Sequence, residues 1–298
     1  LIRVLVTGAG GMLGGDLVAA LRGEPGFSVV GLRRDELDLR EAAAVRAAVA
    51  GADVVVNTAA WTDVDGAEAD EAAATAVNGT AVAVLAGACA DRGARLIQIS
   101  TDYVLPGSGQ TGPWPADAPT GPLNAYGRSK LVGELATREL LPDTGYVVRT
   151  AWLYGAHGRN FLSTMLALAQ TRPTLSVVDD QHGQPTWTVE LARQLIGLAA
   201  AAVAGRAPAG IYHGTAAGET TWHGFARAIF AATGLDPDRI TPVTSAQFPR
   251  PAMRPAYSVL AHEMWAGTGV PVQPDWQHQL RQALAAGVGR PVGEPTRV

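Results

Sequence analysis

The chain opens with a β-branched run, Ile2-Arg3-Val4-Leu5-Val6-Thr7. It passes directly into Gly8-Ala9-Gly10-Gly11-Met12-Leu13-Gly14 and then into an amphipathic stretch, Gly15–Arg22. No other feature restricts the fold as much. A strand, a glycine-rich turn and a helix in immediate succession make the first half of a parallel βαβ unit. Each glycine of the G-x-x-G-x-x-G spacing has a physical task. Gly8 permits the tight turn, Gly11 lets backbone approach a pyrophosphate, and Gly14 allows close helix–strand packing. The phosphate would face the open N–H groups at the helix N-terminus. Gly8, Gly11, Met12, Leu13 and Gly14 are therefore the expected dinucleotide cradle.

Strands and helices keep alternating up to about residue 150. Strands are expected over Phe27–Leu32, Asp53–Thr58, Arg95–Ser100 and Tyr146–Thr150. Helical segments are expected over Glu41–Ala50, over Glu68–Arg92 and from Tyr126 onward. That pattern predicts an α/β fold, a Rossmann-type doubly wound parallel sheet. Beyond it the pattern loosens into helices over Asn160–Gln170, Val189–Ala204 and Thr221–Thr233, short strands at Leu175–Val178 and Ile211–His213, and short elements from Ile240. The expected division is a dinucleotide-binding domain over 1–152, with 187–214 returning to it. A smaller α/β substrate-binding lobe would take most of 153–298.

Composition narrows the function. At 298 residues the chain can bury a large core. With 47% apolar and 17% charged residues it reads as globular, apart from a Pro/Gly/Arg-bearing tail from Gly287. The net charge is −4, and Arg33-Arg34 is a pair rather than a basic stripe, so no nucleic-acid partner is expected. The one cysteine, Cys89, rules out an intrachain disulfide and a cysteine metal cluster, and it fits a reducing cytoplasm. The apolar run in Leu195–Ala204 is too short to span a bilayer, and the first strand leaves no room for a signal peptide, so no membrane partner is expected. The scattered carboxylates Asp63/Asp65 and Asp179/Asp180 lack His support, and no metal site is expected.

In open α/β sheets ligands meet the carboxyl ends of the strands. At the end of the second strand stand Arg33 and Arg34, able to pair with a 2′-phosphate, which favours NADPH, with NADH as the alternative. The competing reading is two solvated arginines. Asp38 and Leu39 would lie beside the adenine, and Ala59 and Ala60 leave room for a flat cofactor. The fourth strand ends in Ser100-Thr101-Asp102-Tyr103, and Pro106–Pro122, with five prolines and four glycines, reads as a loop of lid length. Tyr126 and Lys130, spaced i,i+4, project from one face of a helix. A phenol titrates near ~10 in water, and a neighbouring ammonium draws that value down toward the working range.

Glycines 8, 11 and 14, Thr101 on a strand end and Tyr126-x-x-x-Lys130 together resemble the extended short-chain dehydrogenases/reductases. Ser100-Thr101-Asp102-Tyr103-Val104, Arg149-Thr150-Ala151-Trp152-Leu153-Tyr154-Gly155, Asp180-Gln181-His182-Gly183-Gln184-Pro185-Thr186 and Arg254-Pro255-Ala256-Tyr257-Ser258-Val259-Leu260 resemble the dTDP-4-dehydrorhamnose reductases within that group. The resemblance implies roles. Tyr126 gives a proton to a carbonyl oxygen, Lys130 lowers the Tyr126 pKa and bonds the nicotinamide ribose, and Thr101 orients the same oxygen. Asp102 and Trp152 touch the sugar; Asn160, Gln184 and Arg254 hold the nucleotide diphosphate. Asn78 helps shape the site or bonds only to backbone. Trp152 could equally be a core aromatic and Arg254 a surface arginine, and His182 and His213 read as structural. Where related 4,6-dehydratases carry a glutamate that removes a proton, this chain has Tyr103, so elimination lacks its base and carbonyl reduction remains.

The expectation is reduction of the C4 carbonyl of a dTDP-activated 4-keto-6-deoxyhexose by NADPH, with a homodimer among the permitted assemblies. Two alternatives stand beside it: a non-catalytic nucleotide-binding regulatory subunit of the same fold, and a nucleotide-sugar epimerase.

Overall fold

The computed structural model describes residues 1–289. Of the tail from Gly287, residues 290–298 lie outside the described residues. The first five strands are β1 (Ile2–Thr7), β2 (Phe27–Leu32), β3 (Val54–Asn57), β4 (Arg95–Thr101) and β5 (Gly145–Thr150). With the strand Gly210–His213 they form one six-stranded parallel sheet. Its spatial order is Gly210–His213, β5, β4, β3, β1, β2. The order reverses at β1, so the crevice between the carboxyl ends of β1 and β3 is the switch point where such sheets bind ligands. The central strands are covered on both faces, so every residue of β3 and β5 is enclosed, the polar Asn57, Arg149 and Thr150 included.

The helices are α1 (Met12–Gly23), α2 (Ala42–Val49), α3 (Val64–Ala69), α4 (Glu71–Thr75), α5 (Ala81–Arg92), α6 (Ala125–Leu140), α7 (Phe161–Ala169), α8 (Thr188–Val203), α9 (Trp222–Ala232) and α10 (Trp276–Ala285). On one face of the sheet Leu13, Leu17 and Leu21 of α1 pack with Leu191, Leu195 and Leu198 of α8. On the other face Val45 and Val49 of α2 meet Leu85, Ala86 and Cys89 of α5. A separate apolar core joins Leu162 and Met165 of α7, Phe225, Ile229 and Phe230 of α9, and Leu280 of α10 around the parallel pair Leu175–Val178 and Ile240–Val243.

The segment expected as one helix over Glu68–Arg92 is broken. Asp63 caps α3 by accepting from the Gly66 amide, and Asp70, at φ −145°, ends α3 and caps α4. A π turn, Ala76–Thr80, then joins α4 to α5. The continuous stretch Glu71–Arg92 is long and apolar enough to cross a membrane by length and composition, and it is half-buried inside the protein. The loop Pro106–Pro122 is pinned rather than free. The Trp114 amide donates to Val259 O (2.8 Å), and its indole Nε1 donates to Tyr257 O (3.0 Å). Helix α10 stands where the sequence suggests only short elements, its Trp276 and Leu280 buried by distant partners.

Charges are also buried between sheet and helix. Arg149 of β5 donates from Nε and Nη2 to the two Glu134 carboxylate oxygens of α6 (2.9 and 2.8 Å), and Ser100 Oγ donates to Glu134 Oε1 (2.6 Å). Both charged side chains are almost wholly enclosed, at 1% and 2% exposure. Removing one partner strands the other charge in a low-dielectric interior. Glu134→Leu is expected to cost about 3–5 kcal/mol of stability, measured as a fall in the urea midpoint, with Glu134→Leu/Arg149→Met recovering most of it. A single variant as stable as the parent would show that the pair is not what holds α6 to the sheet.

Candidate active site

The cradle is built by backbone crowding at the switch point. Gly8 follows β1 with φ +73°, and a Cβ there would lie 2.6 Å from the Ala59 amide nitrogen. A Cβ at Gly14 would lie 2.3 Å from Gly8 O and 2.7 Å from Thr58 Oγ1. Thr58 Oγ1 itself donates to Thr7 O (2.7 Å), so β1, β3 and the first turn of α1 are drawn together. Gly11 is the N-cap of α1 and provides no side-chain cap. The N–H groups of the first turn thus face the crevice without a partner from their own helix, a ready anion site. Leu13 is buried in the core, so only its backbone is available to a ligand, while Met12 lies close to the backbone of Gly155.

Beyond β2 the two arginines are exposed, and neither guanidinium forms an ion pair among the described residues. The Arg33 stem lies over Gly10, where a Cβ would be 3.5 Å from Arg33 Cγ. Asp38 is held by Arg40 (2.6 Å), whose guanidinium lowers its carboxyl to about 2. Leu39 is buried in the core. Ala59 and Ala60 are half-buried at the end of β3, above a polar row that the sequence analysis missed. There Thr7 Oγ1 donates to Asn57 Oδ1 (2.6 Å), Asn57 Nδ2 to Gln98 Oε1 (2.7 Å), and Gln98 Nε2 to Ile99 O (2.8 Å). Its signal was present in the sequence, as polar residues inside otherwise apolar strands.

Thr101 is the last residue of β4, and Tyr126 stands in the first turn of α6, which Asn124 caps by accepting from the Gly127 amide (2.8 Å). Thr101 Oγ1 donates to Asp102 Oδ1 (3.0 Å), accepts from the Tyr103 amide, and faces the Tyr126 phenol. Tyr103 stands edge-on to Tyr126, ring centroids 5.9 Å apart. Lys130 is 4% exposed and donates to Ile99 O (2.6 Å). Thr101, Tyr126 and Lys130 thus all lie at the junction of β4 and α6.

The electrostatics of this junction differ from expectation. Burial, reinforced by the Asp102 charge, pushes the Tyr126 phenol up to about 12, against a smaller lowering by Thr101. The lowering expected from Lys130 is not seen in this structure, where the Lys130 ammonium donates to the Ile99 carbonyl. Burial takes the Lys130 ammonium down to about 8, partly offset by Glu134. Burial likewise raises the Asp102 carboxyl to about 6, with the Ser258 and Thr101 hydroxyls opposing, and its Oδ2 has no hydrogen-bond partner among the described residues. Asn78, in the π turn, bonds both the amide and carbonyl of Trp61 and donates to Ser129 Oγ (3.0 Å). Ser129 Oγ in turn donates to Tyr126 O (2.7 Å), so the π turn braces the backbone of the catalytic candidate.

The expected substrate residues divide. Trp152 holds a left-handed backbone, φ +47°, and its indole stacks on Trp222 at 3.6 Å, a partner the sequence analysis did not single out. Such an outlier in a non-glycine residue is held by its surroundings and marks functional regions. Arg254 is partly exposed and bonds Asp65. Asn160 and Gln184 are both engaged with other parts of the protein. Asn160 closes a capping box on α7 and donates to Gly155 O (2.9 Å). Gln184 is enclosed, accepting from Leu260 N and Thr215 Oγ1 and donating to Leu260 O. His213 is buried against Ala261 O (2.8 Å), and burial takes its imidazole down to about 3.

Comparison with known proteins agrees with this geometry. Residues 2–288 match the family described as the RmlD substrate binding domain. A dTDP-4-dehydrorhamnose reductase of Streptomyces griseus is 52% identical over 298 residues, covering 98% of this chain and 97% of the relative. A dTDP-4-keto-6-deoxy-D-glucose reductase of Streptomyces niveus is 48% identical, covering 95% and 96%. The crystal structure of a dTDP-4-dehydrorhamnose reductase from Bacillus anthracis in complex with NADP superposes with a TM-score of 0.89 at 32% identity, covering 95% of this chain and 99% of that one. With a glycine cradle, a Thr101/Tyr126/Lys130 junction and relatives matched over nearly their whole length, this chain belongs to the RmlD substrate binding domain family.

Proposed function

We propose that this protein is an NADPH-dependent reductase that converts the C4 carbonyl of a dTDP-activated 4-keto-6-deoxyhexose to the alcohol. The observation that carries the reading is the meeting of Thr101, Tyr126 and Lys130 at the β4–α6 junction, beside the glycine cradle at the sheet's switch point. The cradle fits the cofactor. A Cβ at Gly8 or Gly14 would collide with backbone, the first turn of α1 offers its N–H groups to a pyrophosphate, and Arg33 and Arg34 are free to meet a 2′-phosphate. NADPH, when bound, supplies the hydride. Tyr126 Oη gives its proton to the C4 oxygen as negative charge develops there, and Thr101 Oγ1 holds that oxygen in place. Lys130, one turn further along the same helix face, would hold the nicotinamide ribose. Asp102 and Trp152 would meet the sugar, and the lobe built on the second apolar core would close over it. Tyr103, a phenol where elimination needs a carboxylate base, favours simple reduction.

The first test is loss of NADPH absorbance with dTDP-4-keto-6-deoxyhexose, supplied with and without prior C5 epimerisation. Turnover confined to the epimerised sugar supports a rhamnose-type product, and turnover of the other sugar assigns a different deoxysugar. No turnover with either, despite NADPH binding, would overturn the reading and favour the regulatory-subunit alternative. Tyr126→Phe is expected to lower turnover by roughly 10²–10⁴-fold with cofactor affinity unchanged, since only the proton donor is lost. Arg33→Ala/Arg34→Ala should weaken NADPH far more than NADH; equal losses would show that the pair does not read the 2′-phosphate.

Lys130 links activity to stability. Its folded value, about 8, lies below the ordinary 10.5, so between the two the unfolded chain holds more protons. Stability from this group therefore rises with pH across that window, and the full cost of burying the ammonium is present below it. Lys130→Met should abolish this rise, which amounts to at most about 1.4 kcal/mol per pH unit, while turnover falls. Denaturant titrations of both proteins at pH 7.5 and 9 check it; parallel changes would mean that Lys130 is not held at a cost.

A further inference from the structure

Asp65 lies in the first turn of α3, directly after the loop that leaves β3. Its carboxylate gathers three donors from a segment nearly two hundred residues away. Oδ1 accepts from the Ala252 amide (3.2 Å) and from Arg254 Nη1 (2.6 Å), and Oδ2 stands 3.7 Å from Arg250 Nη1. Arg254 Nη1 also donates to Ala252 O (2.7 Å). The next carbonyl, Met253 O, accepts from Asn124 Nδ2 (2.8 Å), and Asn124 is the N-cap of the helix that carries Tyr126 and Lys130. Residues 252–254 are thus tied at once to the start of α3 and to the start of α6. The outer side of this strap is open, with Phe248 at 48% and Met253 at 65% exposure.

The inner side faces the reaction centre. The Arg254 cation opposes the rise that burial gives the Tyr103 phenol, and Tyr103 stands edge-on to Tyr126. The charges do not cancel, since one carboxylate faces two guanidiniums and the cluster keeps a surplus of one cation. Both backbone and carboxylate bonds of Arg254 leave from Nη1, and such a tether fixes the plane of the fork. A guanidinium fixed in this way is suited to a second, planar contact with a phosphate.

We propose that Asp65 is a positioning residue for nucleotide-sugar binding: it holds Arg254 in the orientation that receives the diphosphate and keeps Tyr103 against Tyr126. The proposal rests on reading the junction as a sugar-nucleotide site. Asp65 does not touch the diphosphate; its effect passes through Arg254. A purely structural role would act on both ligands of the protein, whereas this one acts on the diphosphate alone.

The test is calorimetric titration of the NADPH-bound full chain with dTDP, for the parent, Asp65→Asn, Arg254→Ala and the double variant. Asp65→Asn is expected to weaken dTDP roughly 5–20-fold while leaving NADPH affinity unchanged. Added to Arg254→Ala, it should cost less than about twofold more, because the group it positions is already gone. The proposal is overturned if Asp65→Asn leaves dTDP binding unchanged, weakens NADPH in parallel, or costs as much without Arg254 as with it. If the parent binds NADPH but not dTDP, the underlying reading of the site fails instead, and all four proteins will then be alike.

Discussion

The architecture depends on one close approach, the packing of Gly8 against Ala59 and of Gly14 against the Gly8 carbonyl. With side chains at these positions β1, β3 and α1 could not converge, because the nearest atoms are backbone and cannot yield. Convergence sets the crevice at the switch point, and the crevice sets where a dinucleotide lies relative to β4. Since β4 pairs with β3 in register, Asn57 opposite Gln98, the position of Thr101 at the strand end follows from the same constraint. The buried amide row Thr7–Asn57–Gln98 runs across these three strands and gives the pairing polar specificity.

A second constraint is the number of ionisable groups enclosed around α6. Glu134 and Arg149 satisfy each other and hold helix to sheet. Lys130, one turn before Glu134, has a carbonyl rather than a carboxylate as its close partner, and burial lowers its pKa. Asp102 keeps one oxygen unpartnered, and burial raises its pKa. The satisfied pair is structural, and the two incompletely satisfied groups border the proposed reaction centre. Enclosed groups pushed toward neutral pH are arranged where proton transfer takes place, at a cost in stability carried by the rest of the fold.

How much of this could be read beforehand depended on distance along the chain. The glycine cradle, the Tyr126/Lys130 face and the alternating strands were legible because each is a spacing of seven residues or fewer, and backbone geometry converts such spacings into position. Contacts that join distant parts of the chain have the opposite property. The partners of Gln184 are Thr215 and Leu260, 31 and 76 positions away. Leu39 belongs to a core assembled with α2, α5 and β3.

The sequence by itself determined the parallel α/β class, the cradle and the identity of the proton-transfer candidates, because these follow from short-range periodicity and from residue chemistry. Only the tertiary structure decided that the Lys130 head turns to Ile99, that Trp152 is stacked under Trp222, and that Asp65 clasps Arg254 across 189 positions. These are contacts between elements whose approach is fixed by the packing of two cores. No local pattern encodes such an approach, since it is a property of how the buried faces fit together.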